Sequence, residues 1–231
     1  MAADGSRVFA YRLGYDKADN KWVFAMTGSD TDNATEVKVL SDAPATLGKW
    51  THLAGVYDVS TKRLRLYVNG VEQSTTATLT GGFNATGPVR IGQRKWNGSY
   101  GGWIDGAVDD VRIYNFVESA AKIAELARPL PPAVSFPDNN EVIVGGQLTV
   151  LLDAGGDINI TKFRYSVGNA LLDKEVAATV PGGTAEVEIN VGSVAGEQQL
   201  YVVAVDDGGR VSEVTQKVFT VTPVASLSGT V

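Results

Sequence analysis

Residues 63–73 read Arg-Leu-Arg-Leu-Tyr-Val-Asn-Gly-Val-Glu-Gln, and no other stretch of the chain narrows the choice of fold so far. Leu64, Leu66 and Val68 alternate with Arg63, Arg65 and Tyr67, a two-residue period that places the aliphatic side chains on one face of a strand. Asn69-Gly70 follows at once. A two-residue type I′ turn needs positive φ at both central positions, and Asn-Gly supplies it with least strain. The segment predicts a β-hairpin with one buried face. Residues 185–191, Ala-Glu-Val-Glu-Ile-Asn-Val, alternate as strictly and read as a second strand with one dry and one wet face.

Similar runs fill the chain. In the first half strands are expected over residues 8–13, 21–26, 36–40, 50–57, 63–68, 89–92 and 107–114. In the second half they are expected over 133–136, 141–144, 147–152, 162–167, 175–180, 186–191, 200–205 and 214–221, with Gly155-Gly156, Gly182-Gly183 and Asp207-Gly208-Gly209 as turns. One helix is expected over 119–127, with Ser119 as N-cap and Ile123 and Leu126 as its apolar stripe. The chain is therefore all-β.

Arg128-Pro129-Leu130-Pro131-Pro132 divides it. Three prolines in four residues stop a helix and favour a stiff, extended spacer. Residues 1–128 hold 15 basic and 14 acidic side chains and all four tryptophans, whereas residues 129–231 hold 5 basic and 12 acidic. Two domains are expected: 1–128, then a linker at 129–132, then 133–223, with 224–231 as a tail or the start of a further module. Short strands with regular turns in about 90 residues suggest an immunoglobulin-like or fibronectin III-like sandwich for the second.

Composition excludes several functions. The net charge of −6 disfavours nucleic acid as a partner. With no Cys and one His, thiolate zinc sites, disulfides and multi-His metal sites are ruled out. No apolar run approaches the ~20 residues of a membrane-spanning helix, so no membrane insertion is expected. Met1 to Gly5 lacks the charged and apolar regions of a signal peptide.

Four blocks carry a resemblance. They are Trp50-Thr51-His52-Leu53-Ala54-Gly55-Val56-Tyr57-Asp58, then Leu64-Arg65-Leu66-Tyr67-Val68-Asn69-Gly70, then Ile91-Gly92, and last Trp103-Ile104-Asp105-Gly106-Ala107-Val108-Asp109-Asp110-Val111-Arg112-Ile113-Tyr114-Asn115. In this order and spacing they resemble the LamG-like jelly-roll domains of the concanavalin A-like lectin/glucanase superfamily, over about residues 7–128. Such domains begin with several strands before the equivalent of residues 7–13. The resemblance therefore implies a truncated jelly roll, with open sheet edges and uncovered apolar surface. Residues 200–213 resemble the late strands of bacterial immunoglobulin-like or fibronectin III-like modules. Domains in this combination imply an extracellular or cell-surface protein, longer than this chain.

Some relatives in the superfamily are glucanases with Glu-x-Asp-x-x-Glu on one strand; the chain has no such motif. Glycoside hydrolysis needs two carboxylates flanking the bond, and the neighbours Asp109 and Asp110 would face opposite sides of a strand. His52, the lone imidazole, reads as a half-buried structural residue. No catalytic residue is expected. The resemblance also implies one structural Ca2+, because many such sandwiches hold a calcium near the start of the last strand. Asp105, Asp109 and Asp110 match that region as oxygen ligands, and pairing of Asp109 or Asp110 with Arg112 is the alternative.

Ligand binding is expected in residues 94–103. Trp96 and Tyr100 would be stacking platforms for sugar C–H faces, and Arg94 and Asn97 the polar partners; closure of the core by one aromatic is the alternative. Trp22, Trp50 and Trp103 are expected in the core. The chain thus reads as a non-catalytic recognition module with glycan as its partner. A structural or adhesive spacer that binds extracellular protein is the second possibility.

Overall fold

The computed structural model describes residues 1–224 and divides into two compact units, Met1–Ala127 and Arg128–Val231. The tail expected over 224–231 lies, apart from Val224, outside the described residues.

The first unit holds eleven strands and one helix. The strands are β1 (Ala2–Asp4), β2 (Phe9–Asp16), β3 (Lys21–Thr27), β4 (Glu36–Pro44), β5 (Leu53–Asp58), β6 (Arg63–Val68), β7 (Val71–Glu72), β8 (Ala77–Thr78), β9 (Val89–Arg90), β10 (Arg94–Trp96) and β11 (Ser99–Gly101). One antiparallel sheet has the order β4-β3-β2-β1-β9; in the other, β6 pairs with β5 on one side and with β7 and β8 on the other. Phe24 and Val39 from the first sheet meet Leu64 and Leu66 from the second, and Leu79 just after β8, in a shared core. Gly55 makes that contact possible, since a Cβ there would stand 2.3 Å from Cδ2 of Phe24.

The Asn69-Gly70 hairpin forms as its sequence requires. Asn69 has φ 51°, Gly70 has φ 80°, and Val68 pairs with Val71. The Asn69 side chain also accepts a hydrogen bond from the backbone N–H of His52 (3.0 Å). The helix α1 (Ala120–Leu126) packs over this turn. Ser119 caps it, accepting from the N–H of Lys122 at 3.1 Å, and Ile123 is buried with Val56 and Tyr67. A Cβ on Gly70 would come 2.8 Å from Cα of Ala124. Gly70→Ala should therefore cost about 2–3 kcal/mol, adding backbone strain at positive φ to overpacking against the helix. Urea unfolding followed by tryptophan fluorescence measures it; a loss below half that range would mean that the turn and helix are free to shift apart.

The strand expected over 107–114 does not form. Residues 102–119 contain no regular element, and Trp103, Ile104, Val108, Val111, Ile113, Tyr114, Phe116 and Val117 are all exposed. β-propensity expresses packing against neighbouring strands, and no strand among the described residues offers this segment a ladder. Its backbone is turned instead. Asp110 takes φ 49°, and its N–H donates to Oδ1 of Asp109 at 2.7 Å. Trp103 is consequently 70% exposed, not in the core. Trp50 is also exposed, because β5 starts at Leu53 and leaves Trp50 in the preceding turn. Trp22 does pack against the core.

The second unit contains β12 (Ala133–Ser135), β13 (Glu141–Ile143), β14 (Gln147–Asp153), β15 (Ile160–Val167), β16 (Lys174–Ala177), β17 (Thr184–Asn190), β18 (Gly196–Asp206) and β19 (Thr215–Thr222). Its sheets run β12-β14-β17 and β13-β19-β18-β15-β16. This is the strand exchange of an immunoglobulin-like sandwich. Leu148, Val150 and Leu152 face Phe163, Leu200, Val202 and Phe219 across the core. β13 runs parallel to β19, with Glu141 opposite Thr220, Val142 opposite Val221 and Ile143 opposite Thr222; the other pairings among the described strands are antiparallel. No helix among the described residues is long and apolar enough to cross a membrane.

Candidate functional site

Within residues 94–103, where ligand binding is expected, residues 94–101 form a hairpin. Asn97 (φ 49°) and Gly98 (φ 77°) make its turn, and Arg94, Lys95 and Trp96 pair with Gly101, Tyr100 and Ser99. Strand alternation then separates two faces. Arg94 and Trp96 share one; Lys95 and Tyr100 share the other.

Trp96 is half-buried. Its ring lies 5.5 Å from that of Phe9 between centroids, and it packs on the group formed by Ala2, Phe9, Val23 and Ala25. It is thus partly a core residue, and its platform is reduced to the part left exposed. The Arg94 guanidinium stands 5.5 Å from the Phe9 centroid and 5.6 Å from that of Trp96. These are cation–π distances. Burial, and then the nearby charge of Arg12, push the Arg94 pKa down; Glu36 and Asp16 offset this in part.

On the second face, Tyr100 lies under two cations. The Arg90 guanidinium is 4.5 Å and the Lys95 ammonium 5.1 Å from its ring centroid. Arg90 Nη2 donates to the Tyr100 hydroxyl at 2.8 Å, and Arg90 Nε donates to the buried Asp4 carboxylate at 2.8 Å. The Asp4 hydrogen bond, ahead of a smaller opposing effect of burial, holds the Arg90 pKa up. Lys95 reaches the carbonyl of Gly5 at 3.2 Å.

Asn97 does not offer a free amide. Its Nδ2 donates to Oδ1 of Asn33 at 2.9 Å, and its Oδ1 accepts from the N–H of Asn33 at 2.8 Å. It clamps the hairpin turn to the loop after β3. That loop is braced in turn by Asp30, which accepts from the backbone N–H groups of Ser6, Arg7 and Val8, and by the Arg7–Asp32 ion pair. The sequence singles out Arg94, Trp96, Asn97 and Tyr100 in this segment but neither its hairpin form nor Arg90, Lys95 or Phe9. Arg90, Arg94 and Lys95 all fall within ten residues of Tyr100, and that local excess of cations was the available signal.

The carboxylates expected to hold calcium do not fit it. Asp105, Asp109 and Asp110 lie on the exposed segment that lacks regular structure. Asp109 turns back to the N–H of Asp110, and Asp110 is held by Arg112 at 2.9 Å. Among the described residues no three His, Cys, Asp or Glu side chains converge as a metal site. A hard cation needs six or more oxygens, so no role here is routed through one. His52 is engaged through its backbone with Asn69 on both sides, accepting from Asn69 N–H at 2.8 Å and donating to the Asn69 side chain.

Comparison with known proteins bears on the first unit. A laminin G-type family model, described as the concanavalin A-like lectin/glucanases superfamily, matches residues 1–124. No curated protein matches the chain. Among solved structures, a fibronectin(III)-like module of Clostridium thermocellum CbhA is similar at 17% identity and TM-score 0.30, covering 41% of this chain and 99% of that one.

Proposed function

Since the chain belongs to the concanavalin A-like lectin/glucanases superfamily through residues 1–124, we propose that its first unit is a non-catalytic carbohydrate-recognition module working outside the cell. The second, acidic unit would hold it away from a surface. The observation that carries this reading is the hairpin β10–β11, which sets an aromatic ring beside cations on each of its faces, Trp96 with Arg94 on one and Tyr100 with Arg90 and Lys95 on the other. Guanidinium and ammonium groups donate to sugar hydroxyls, and the exposed part of an aromatic ring face beside them stacks on sugar C–H groups. The absence of a Glu-x-Asp-x-x-Glu strand motif supports binding without hydrolysis.

The test is a broad glycan array probed with folded protein. Saturable binding to one sugar class is expected. Tyr100→Ala should weaken it at least tenfold, equivalent to about 1.4 kcal/mol, with little change in melting temperature. Binding that survives this substitution intact would move the site off the Tyr100 face and leave the Arg94–Trp96 face of the hairpin.

A second reading, adhesion to a protein partner, is favoured by the exposed apolar run from Trp103 to Val117. Contiguous apolar surface of this kind marks interaction sites. A folded sample silent on every sugar would transfer the assignment to it.

A further inference from the structure

Arg94 differs from every other arginine among the described residues. Each of the rest forms an ion pair with a carboxylate or donates to a hydroxyl, as Arg12 pairs with Asp16 and Glu36, Arg128 with Glu213, and Arg63 donates to Thr76. Arg94 makes no ion pair and no side-chain hydrogen bond, although it is half-buried and lies against two aromatic rings. A guanidinium has five N–H donors and no acceptor. Partly desolvated donors without partners are costly, and the rings offset only part of that cost.

Its surroundings define what would complete it. Arg12 lies near enough to depress the Arg94 pKa; Glu36 and Asp16 offset this only through space, and their ion pairs go to Arg12 and Lys38. Across the hairpin stands Gly101, and a Cβ on the next residue, Gly102, would come 3.2 Å from Arg94 Nε. Neither glycine has a side chain to place against the guanidinium. A planar carboxylate matches the guanidinium fork in a bidentate pair. The half-exposed Trp96 beside it supplies an apolar surface for a ring that bears such a group.

We propose that Arg94 anchors the carboxylate of an acidic sugar, so that the ligand class of this hairpin is a uronate-bearing glycan. This rests on the carbohydrate reading above and sharpens it from sugars in general to charged ones.

The experiment measures binding of the full chain to polygalacturonate, hyaluronan and alginate. Fully methyl-esterified polygalacturonate serves as the same polymer without charge, and dextran sulfate and polyglutamate serve as polyanions without uronate. At least one uronate polymer is expected to bind tenfold or more tightly than the esterified polymer and the two control polyanions. Arg94→Gln should abolish that preference. Arg94→Lys should keep part of it, because the charge remains while the fork is lost. Tryptophan-reported unfolding of both variants checks the fold, and the lysine variant keeps the test decisive if the glutamine variant is unstable. Equal binding to charged and esterified polymer, or a preference unchanged in Arg94→Gln, overturns the inference and leaves the carbohydrate reading standing. Binding to dextran sulfate as tight as to uronate reduces it to general charge attraction and overturns it. Preference for polyglutamate overturns it in favour of an acidic peptide. Silence on all sugars, charged and neutral, overturns both.

Discussion

Phe163→Ala should destabilise the second unit by about 3–5 kcal/mol, the range for deleting a fully buried phenylalanine, and leave the first unit untouched. Phe163 has no exposed surface, and on β15 it sits opposite Val176 on one side and Ala204 on the other. Phe163 belongs to a core cluster drawn from both sheets, with Leu148 and Val150 in one and Val202 and Phe219 in the other, so collapse around the cavity is limited. The two units can be read apart spectroscopically, because all four tryptophans lie before residue 128. Calorimetry should show the transition without a tryptophan signal moving down while the fluorescence transition stays in place. An equal shift of both would show that the units unfold as one.

Arg12→Ala should cost the first unit about 3–5 kcal/mol, the range for removing one member of a buried ion pair. Only 9% of the Arg12 side chain is exposed; it holds Asp16 at 2.9 Å and also Glu36, and its loss leaves Asp16 with Lys38 alone and Glu36 without its ion-pair partner. The same cluster sets an acid limit. Burial alone would raise the Asp16 pKa, but the hydrogen bond and charge of Arg12, with help from Lys38, more than reverse this and lower it. A carboxylate whose folded pKa lies below its unfolded value stabilises the fold above that unfolded value, near 4. That contribution disappears as pH falls through the folded value. Tryptophan-monitored urea midpoints should thus be level above about pH 5 and drop below about pH 4. In Arg12→Ala the drop should be much shallower; parallel profiles would remove Asp16 from the account.

The parts of the fold legible in the sequence are those whose signal is local. Asn69-Gly70 carries its own turn geometry, Ser119 its own cap, and residues 185–191 their own two faces, and each is formed where it was read. Residues 107–114 have the composition of a strand as well, yet a strand exists only beside another, and Asp109-Asp110 can satisfy themselves in a turn. Trp50 and Trp103 were misplaced for a related reason. An aromatic in an alternating run is buried only if something lies over that face. In the candidate site, Arg94, Trp96 and Tyr100 could be named from one short stretch. The role of Asn97 could not, because its partner Asn33 is 64 residues away. The Phe9 ring that turns Trp96 inward is also supplied by a distant strand.

The parallel pairing of β13 with β19 has a mechanical consequence. Tension that draws β13 toward its N-terminal end and β19 toward its C-terminal end slides the two strands along each other. The bonds from Thr220 N–H to the Asn140 carbonyl and from Val144 N–H to the Thr222 carbonyl, both 2.8 Å, span that slide from opposite ends of the pair. They share the load and must yield together, whereas an antiparallel pair drawn from one end opens bond by bond, like a zip. A unit built this way resists being pulled open when β13 and β19 are drawn in opposite directions along the chain.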